Sequence, residues 1–553
     1  MKWVIAPYRA DAHALSAKLG IPLPLAKVLV NRGVNTEERA RLYLYEPLGL
    51  LNDPFYFSHM EKAVERILKA RSRKEKILIY GDYDADGITA SALLYRFLKR
   101  LGCDVEVFIP HRIADGYSIN LDSLRKSEVP DFSLLITVDC GISSIQEVSA
   151  LKREGIDVIV TDHHEPAPFL PPADAVINPK ADGSYPFRGL AGVGVALKLA
   201  EAVILRLEGD KERKAVIKEF LPLVAVGTVA DVMEIRDENR FFVKFGLKML
   251  KDFVPFAALT EAAGISDRAL KPWDVSFIIA PRLNAPGRIS HARKAFELLV
   301  EDDGEKALEL ARELNRENSR RQREEEKVFG EALSMCGGDE PVVFVWKDGW
   351  HPGVIGVVAS KLASHFASPA FIVSFNGGRV GRGSGRSFGG VNLHRLMSRV
   401  RGLLVSWGGH EKAVGFNVEK DKVELLKEHL SRAVEEEERV EDVLFIDDKL
   451  EFELLDAGFV RDYLRLRPFG EGFEEPLFLF EGLKVRFLKP MSKGISFLAV
   501  KDGIGVDAYS FDVEIERLKG GGSFDVVASI EFDMWKERKR LRLKVKDVRK
   551  SSG

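Results

Sequence analysis

The chain has 553 residues, of which 46% are apolar and 9% aromatic, with 82 Lys plus Arg against 84 Asp plus Glu. That length predicts three or four domains with ample core, and a net charge of −2 excludes a wholesale basic coat, so any polyanion must be held by local patches. Three scattered cysteines (Cys103, Cys140, Cys336) exclude a disulfide framework and a zinc ribbon, and no apolar run suits a secretory signal or a membrane span, so a cytoplasmic protein with no membrane contact is expected.

Residues 1–50 predict a small helical lead-in interrupted by Pro22, Pro24 and Pro47. From residue 76 to about 240, strand-like runs (ILIY, VEVFIP, LLITVD, DVIVTD, AVINP) alternate with helical periodicity such as SSIQEVSALKREG. Such alternation predicts a mostly parallel, doubly wound α/β sheet, with the domain placed at 51–250. Connecting helices are expected over 251–335, ending in one long charged helix from 303. A smaller α/β unit is expected over 336–435, with AVEEEERVED (433–442) as a polar linker. Short alternating runs with glycine-rich turns then predict a small β-barrel over 436–553.

The chemistry concentrates where ILIYGDYDADGITASALL turns from strand to helix, placing Asp82, Asp84 and Asp86 within five residues. Open α/β sheets place their ligands at this edge. Turn-forming or capping aspartates are the plain alternative. An EF-hand is excluded: its twelfth position is Leu93 rather than Glu, and a strand precedes the loop. Three further runs read as strands ending in polar groups: Asp139 after LLITV, Asp162-His163-His164 after VIVT, and Asp231 after LVAVGTVA. Gathered at one sheet edge, so many unpaired carboxylates would be costly without cations. Mixed carboxylate and imidazole donors favour Mn²⁺ or Mg²⁺ over Ca²⁺, and their number fits two ions. Two such ions clamp a phosphoryl group, which points to phosphoester hydrolysis. No GxxxxGK[ST] loop occurs, which argues against a P-loop NTPase.

In the smaller unit, GGRVGRGSGRSFGG (377–390) combines glycines with Arg382, Arg386, Ser384 and Ser387. Open backbone NH groups and arginine forks suit phosphate, whereas a plain glycine-rich hairpin turn is the alternative. Arg282, Asn284 and Arg288 in RLNAPGR suit a backbone phosphate, with an arginine-capped loop as the alternative for Arg288. Aromatics at Phe469, Phe473, Phe478 and Phe480 fit barrel core better than base stacking.

The order DYDADG, VDCG, TDHH, GTVAD resembles the four motifs of the DHH phosphoesterase superfamily, and RLNAPGR, GRGSGRS and GGHEKAVGF resemble its DHHA1-type second lobe. The combination, covering about residues 50–480, is similar to the bacterial single-strand-specific 5′→3′ DNA exonucleases of that superfamily. The resemblance implies a DHH lobe joined by a long helix to a DHHA1 lobe, followed by an OB-like barrel. It implies Asp82 and Asp84 on one ion, Asp86, His163 and Asp231 on the other, and Asp139 bridging, with Asp162 orienting its neighbours and His164 facing the scissile phosphate. It further implies a 5′-phosphate pocket at Ser384 and Arg386, and a catalytic His410 that, after Gly408 and Gly409, approaches the substrate and supports the scissile phosphate. Single-stranded DNA, a single-strand-binding protein and a helicase are the implied partners, in recombination and repair. A monomer is expected, since two lobes already enclose a cleft. Two rivals remain: a DHH phosphodiesterase acting on short oligonucleotides or cyclic dinucleotides, and a non-catalytic replication scaffold, which would lack ligands.

Overall fold

The computed structural model describes every residue except Met1, Tyr8, Glu46, residues 113–115, Tyr117, Glu128, Pro130 and residues 338–339, 438–442, 536–537 and 552–553. The chain divides into two compact units. The first comprises Met1–Asn52, Met233–Lys244 and Val443–Gly553, and the second comprises Asp53–Val232 and Phe245–Asp442.

The first unit opens with strand β1 (Lys2–Ile5) and helices α1 (Ala10–Leu19), α2 (Leu23–Asn31) and α3 (Glu37–Leu44). The described residues of 1–50 thus hold three α-helices and one strand.

The second unit begins with α4 (Met60–Arg73), β2 (Ile77–Gly81), α5 (Ala85–Arg100), β3 (Val105–Phe108), α6 (Leu121–Lys126), β4 (Leu134–Val138), α7 (Ile145–Arg153), β5 (Asp157–Thr161), β6 (Ala175–Ile177), α8 (Gly192–Glu208) and α9 (Asp210–Ala230). Its strands pair in parallel in the order β3-β2-β4-β5-β6. This is the predicted doubly wound sheet, and the chain reverses its direction of growth beside β2, so the crevice between β2 and β4 is the switch point. The central strands β2 and β4, and β5 beyond Asp157, are apolar and buried, as parallel strands covered on both faces must be, whereas the edge strand β3 is partly exposed.

One element differs from expectation. LVAVGTVA, read as a strand before Asp231, is the last part of α9, buried from Phe220 to Val229. A short apolar run fits a buried helix as well as a buried strand, and only the preceding charged turns (DKERKAVIKEF) distinguish them.

Helices α10 (Asp237–Met249), α11 (Val254–Ala262), α12 (Pro272–Asp274), α13 (Ala280–Ile289) and α14 (Arg293–Val300) follow, with a π-helical turn (Val275–Ile279) leading into α13. RLNAPGR is thus helical rather than a loop. The long charged helix is present as α15 (Gly304–Met335), capped by Asp303, whose side chain accepts from Glu305 N and Lys306 N.

The smaller α/β lobe contains β7 (Val343–Asp348), α16 (Ile355–Phe366), β8 (Ala370–Phe375), β9 (Val380–Arg386), α17 (Leu393–Arg399), β10 (Leu404–Gly409), β11 (Ala413–Glu419) and α18 (Val423–Glu435), in sheet order β10-β11-β9-β8-β7. The glycine-rich segment is therefore not an open NH nest. β9 pairs along both edges, with β11 and with β8. Its glycines serve packing. A Cβ at Gly381, Gly383 or Gly385 would meet the ring of Phe375, Phe416 or Phe371 at 2.6, 2.2 and 2.6 Å. One face of β9 thus accepts three aromatic rings, and the alternate positions carry Arg382, Ser384 and Arg386. Of the predicted polar linker, residues 438–442 lie outside the described residues.

The chain re-enters the first unit with β12 (Val443–Ile446), β13 (Asp448–Lys449), α19 (Ala457–Arg465), β14 (Phe478–Pro490), β15 (Ile495–Lys501), β16 (Ile504–Ser510), β17 (Ser523–Trp535) and β18 (Arg538–Lys550). The order β14-β15-β16-β18-β17 closes through a β17–β14 pairing, giving a five-stranded barrel without open edges. Phe473, Phe478 and Phe480 are buried in its core, and Phe469 packs against them. β1 pairs in parallel with β12.

Candidate metal centre

Each acidic group owes its place to a chain reversal at the switch point. Asp84 caps α5, its Oδ1 accepting from Asp86 N (2.9 Å) and Gly87 N (3.1 Å). Asp86, two residues on, accepts from Gly192 N (2.6 Å) and Val193 N (2.9 Å) at the positive end of α8. Asp139 follows β4 with φ +62°, a left-handed backbone that Asp and Asn tolerate better than other side chains. Asp231 ends α9, and Val232 beside it is also left-handed (φ +56°), unusual for a β-branched residue.

These groups converge. Asp82, Asp84 and Asp139 offer ligand atoms within 4.8 Å of one another, as do Asp86, His163 and Asp231, and Asp139, His163 and His164. His163 Nε2 lies 3.1 Å from Asp139 Oδ1, 3.4 Å from Asp231 Oδ2 and 3.9 Å from Asp86 Oδ2. Asp82, Asp86, Asp139 and His163 are buried. Asp139 Oδ1 and His163 Nε2 nevertheless make no hydrogen bond among the described residues. Buried polar atoms are normally satisfied, so this unpaired couple fits the ligand set of a cation.

The electrostatics agree. Burial, then Asp84, raises Asp82 well above the usual carboxylate range and pushes Asp86 up to about 7. Burial, then Asp86, lifts Asp231 to about 8 and Asp139 well above its ordinary value. Burial, then His164, lowers His163 to about 3, keeping the ring neutral and able to act as a ligand. A hard cation would replace the protons these groups hold; oxygen donors with one imidazole suit Mn²⁺ and Mg²⁺.

Asp162 is fully buried and orders the turn. It accepts from Ile142 N (2.9 Å), His163 N (2.7 Å) and His164 N (3.1 Å), and its Oδ1 lies 2.8 Å from His164 Nδ1. Burial opposes charge on His164, but the Asp162 hydrogen bond and surrounding carboxylates outweigh it and raise the ring to about 9. His164 is thus held toward its protonated form by Asp162 at the edge of the cluster.

Other predicted residues lie apart from the ligand groups. Asn284 Oδ1 accepts from Ala85 N (2.7 Å), so it braces the metal loop. Arg282 uses Nε on Asn315 Oδ1 (2.9 Å) and Nη1 on Ile278 O (2.7 Å). Arg288 is half-buried, with Nη1 3.5 Å from Gly353 O. Arg386 donates to Ser384 Oγ (2.9 Å), and a Cβ on Gly356 in the first turn of α16 would touch both side chains. Arg382 is exposed on β9. The Ser387 hydroxyl is committed to Val391 O. Gly408 and Gly409 end β10, and His410 is exposed at the hairpin turn.

Sequence reading missed Arg112, whose guanidinium lies 5.1 Å over the Tyr83 ring between the metal aspartates. Its charge acts on Asp82, Arg288 and Arg386. The signal was a basic pair, His111-Arg112, just past the carboxyl end of β3. It missed Gly192 too, where a Cβ would fall 2.6 Å from Asp139 Oδ1.

Comparison with known proteins agrees with this layout. The DHH family N-terminal domain matches residues 76–228, the DHHA1 domain 339–436 and the RecJ OB domain 446–547. The single-stranded-DNA-specific exonuclease RecJ of Bacillus subtilis (strain 168) is 36% identical over 99% of this chain and 71% of its own length. RecJ of Escherichia coli (strain K12) is 33% identical over 93% of each. The crystal structure of Thermus thermophilus RecJ in complex with Mn²⁺ aligns with a TM-score of 0.85 at 29% identity, covering 100% of this chain and 80% of that one. The Mg²⁺ complex gives 0.80 at 27%, covering 100% and 79%. With its metal-ready switch point, second lobe and closed barrel, the chain belongs to the RecJ family of single-stranded-DNA-specific exonucleases within the DHH superfamily.

Proposed function

We propose that this chain degrades single-stranded DNA from the 5′ end, releasing 5′-mononucleotides with two divalent cations, Mn²⁺ or Mg²⁺. The observation that carries the reading is the meeting of Asp82, Asp84, Asp86, Asp139, His163 and Asp231 from four separate chain segments. Asp82 and Asp84 hold one ion, Asp86, His163 and Asp231 the other, and Asp139 spans both. Two cations held there would supply activation of the attacking water and stabilisation of the leaving oxygen.

The chain's own residues do the rest. Asp162 fixes the turn that carries both histidines, and it keeps His164 cationic beside the developing negative charge. Asp86, bonded to two NH groups of α8, holds a single orientation. Arg386 and Ser384, with Arg288 and Arg112, receive the terminal phosphate, while Arg282 and Asn284 brace that wall; Arg382, Ser387, Gly408, Gly409 and His410 border the entry path. The protein acts as a monomer in the cytoplasm, on strands supplied by a helicase and covered by a single-strand-binding protein.

The test is digestion of single-stranded and duplex oligonucleotides, labelled at the 5′ or 3′ end, during Mn²⁺ titration. Immediate release of 5′ label as mononucleotide from single strands supports the reading. Cleavage of dinucleotides alone, or no cleavage, would transfer it to the small-substrate or scaffold alternatives.

A further inference from the structure

Helix α15 carries a feature that a solvated connector does not need. Its buried stripe begins with Ala307, Ala311 and Leu314 and ends with Val328 and Ala332, but between them it holds Asn318 and Glu325. With Asn315 and Arg321, these form a polar interval spaced three, three and four residues apart, on one face of the helix. Polar groups in a core stripe cost stability unless fully paired. Here Asn318 Oδ1 and Arg321 Nε are buried without a hydrogen-bond partner among the described residues.

The interval faces a collection of like charges. Asn315 holds Arg282 on α13, and Arg321 Nη1 lies 3.1 Å from Glu325 Oε2. Glu325 Oε1 lies 2.6 Å from Lys361 Nζ on α16. The Arg321 charge reaches Arg282 and Arg288 and, after burial, helps push both below the usual arginine range, Arg288 to about 10. Glu325 is the carboxylate that opposes this at Arg288. Buried guanidiniums that act on one another's charge are favourable when an anion lies among them, the mirror of the aspartate cluster's need for cations.

We propose that the polar interval of α15 is a wall of the substrate channel, in which Arg321, beside the bracing Arg282 and next to Arg288 of the terminal-phosphate pocket, binds a phosphodiester of the single strand, and Glu325, itself held by Lys361, positions Arg321. The inference rests on the nuclease reading and adds a site to it. Arg321 is the binding residue, and Glu325 acts only through it.

The test is binding of a fluorescent, 5′-phosphorylated single-stranded oligonucleotide in chelator across a salt series. Arg321→Gln is expected to bind about 10-fold more weakly, with the slope of log K against log salt smaller by about 0.7, the loss of one single-strand phosphate contact. Arg321→Lys keeps the charge, and therefore the slope, but loses the planar fork and binds about 3-fold more weakly. Glu325→Gln is expected to raise KM about 3-fold with kcat unchanged. An unchanged slope in Arg321→Gln overturns the proposal, as does wild-type affinity in Arg321→Lys if the glutamine variant fails to fold. Wild-type protein that binds no single strand removes the nuclease reading and this site together, whereas a steep wild-type slope retained in Arg321→Gln removes this site alone.

Discussion

Asp139 Oδ1 stands 3.1 Å from His163 Nε2, the carboxylate from the end of β4 and the imidazole from the end of β5, with Asp139 held in a left-handed backbone (φ +62°). Neither atom has a hydrogen bond among the described residues, although both are buried. The pair marks the junction of the two ligand groups, so it is where substitution tells most.

Asp139→Asn keeps the side-chain volume and a residue that tolerates positive φ, but removes the shared charge. Turnover on single-stranded DNA is expected to fall at least about 1,000-fold, since several kcal/mol of barrier lowering depends on the cations. The Mn²⁺-induced rise in Tm should shrink with it. Turnover within tenfold of wild type would remove Asp139 from the ligand set.

Protons and cations compete for the same carboxylates. Asp86 is pushed up to about 7, Asp231 to about 8 and His164 to about 9, all above their unfolded values. Groups with raised folded-state pKa stabilise the fold below the unfolded pKa and lose that contribution as pH climbs through the folded one. His163, lowered to about 3, is neutral in both states above pH ~6.5 and adds nothing there. The Tm of the metal-free protein should therefore fall between about pH 6.5 and 9, and Mn²⁺ should flatten the fall by binding the deprotonated form. Thermal melts in chelator and in Mn²⁺ at three pH values check this; a metal-free Tm that rises with pH would contradict it.

Gly192→Ala places a methyl group 2.6 Å from Asp139 Cβ and Oδ1. Asp139 must shift, and the first turn of α8, which also holds Asp86, shifts with it. Mn²⁺ affinity by calorimetry should drop about 10- to 100-fold, with the far-ultraviolet spectrum preserved. Wild-type affinity would show that the centre tolerates the displacement.

Gly383→Ala addresses the second lobe alone. The added methyl would lie 2.2 Å from the Phe416 ring, inside strand-to-strand packing that has no room to relax. Overpacking of this kind costs about 1–3 kcal/mol. Denaturant unfolding should show the loss, with Mn²⁺ binding at the first lobe intact.

Much of the metal centre could be read from the sequence because aspartates after apolar β-branched runs mark carboxyl ends of parallel strands. Asp82, Asp84, Asp86, Asp139, Asp162 and His163 all lie where that rule places them. Asp231 reaches the same place from a helix end, since an eight-residue apolar run carries no period that separates helix from strand. β9 misled for the opposite reason: its glycines look like loop, yet they receive Phe371 and Phe375 from β8 and Phe416 from β11, a packing that local composition does not reveal. The polar interval of α15 was hidden by charge. In a helix this polar, Arg321 and Glu325 look solvated until the faces of α13 and α16 bury them.

The pairing of β1 with β12 matches Lys2 with Val443, so the two strands are synthesised 441 residues apart. At about 5–20 residues per second on the ribosome, the earlier strand waits on the order of tens of seconds for its partner. Meanwhile α1–α3 pack on one another but lack the later residues, such as Phe478 and Phe480, that complete their core. The nuclease lobes can fold during that interval, while the earliest segment completes its core only once the barrel strands are made.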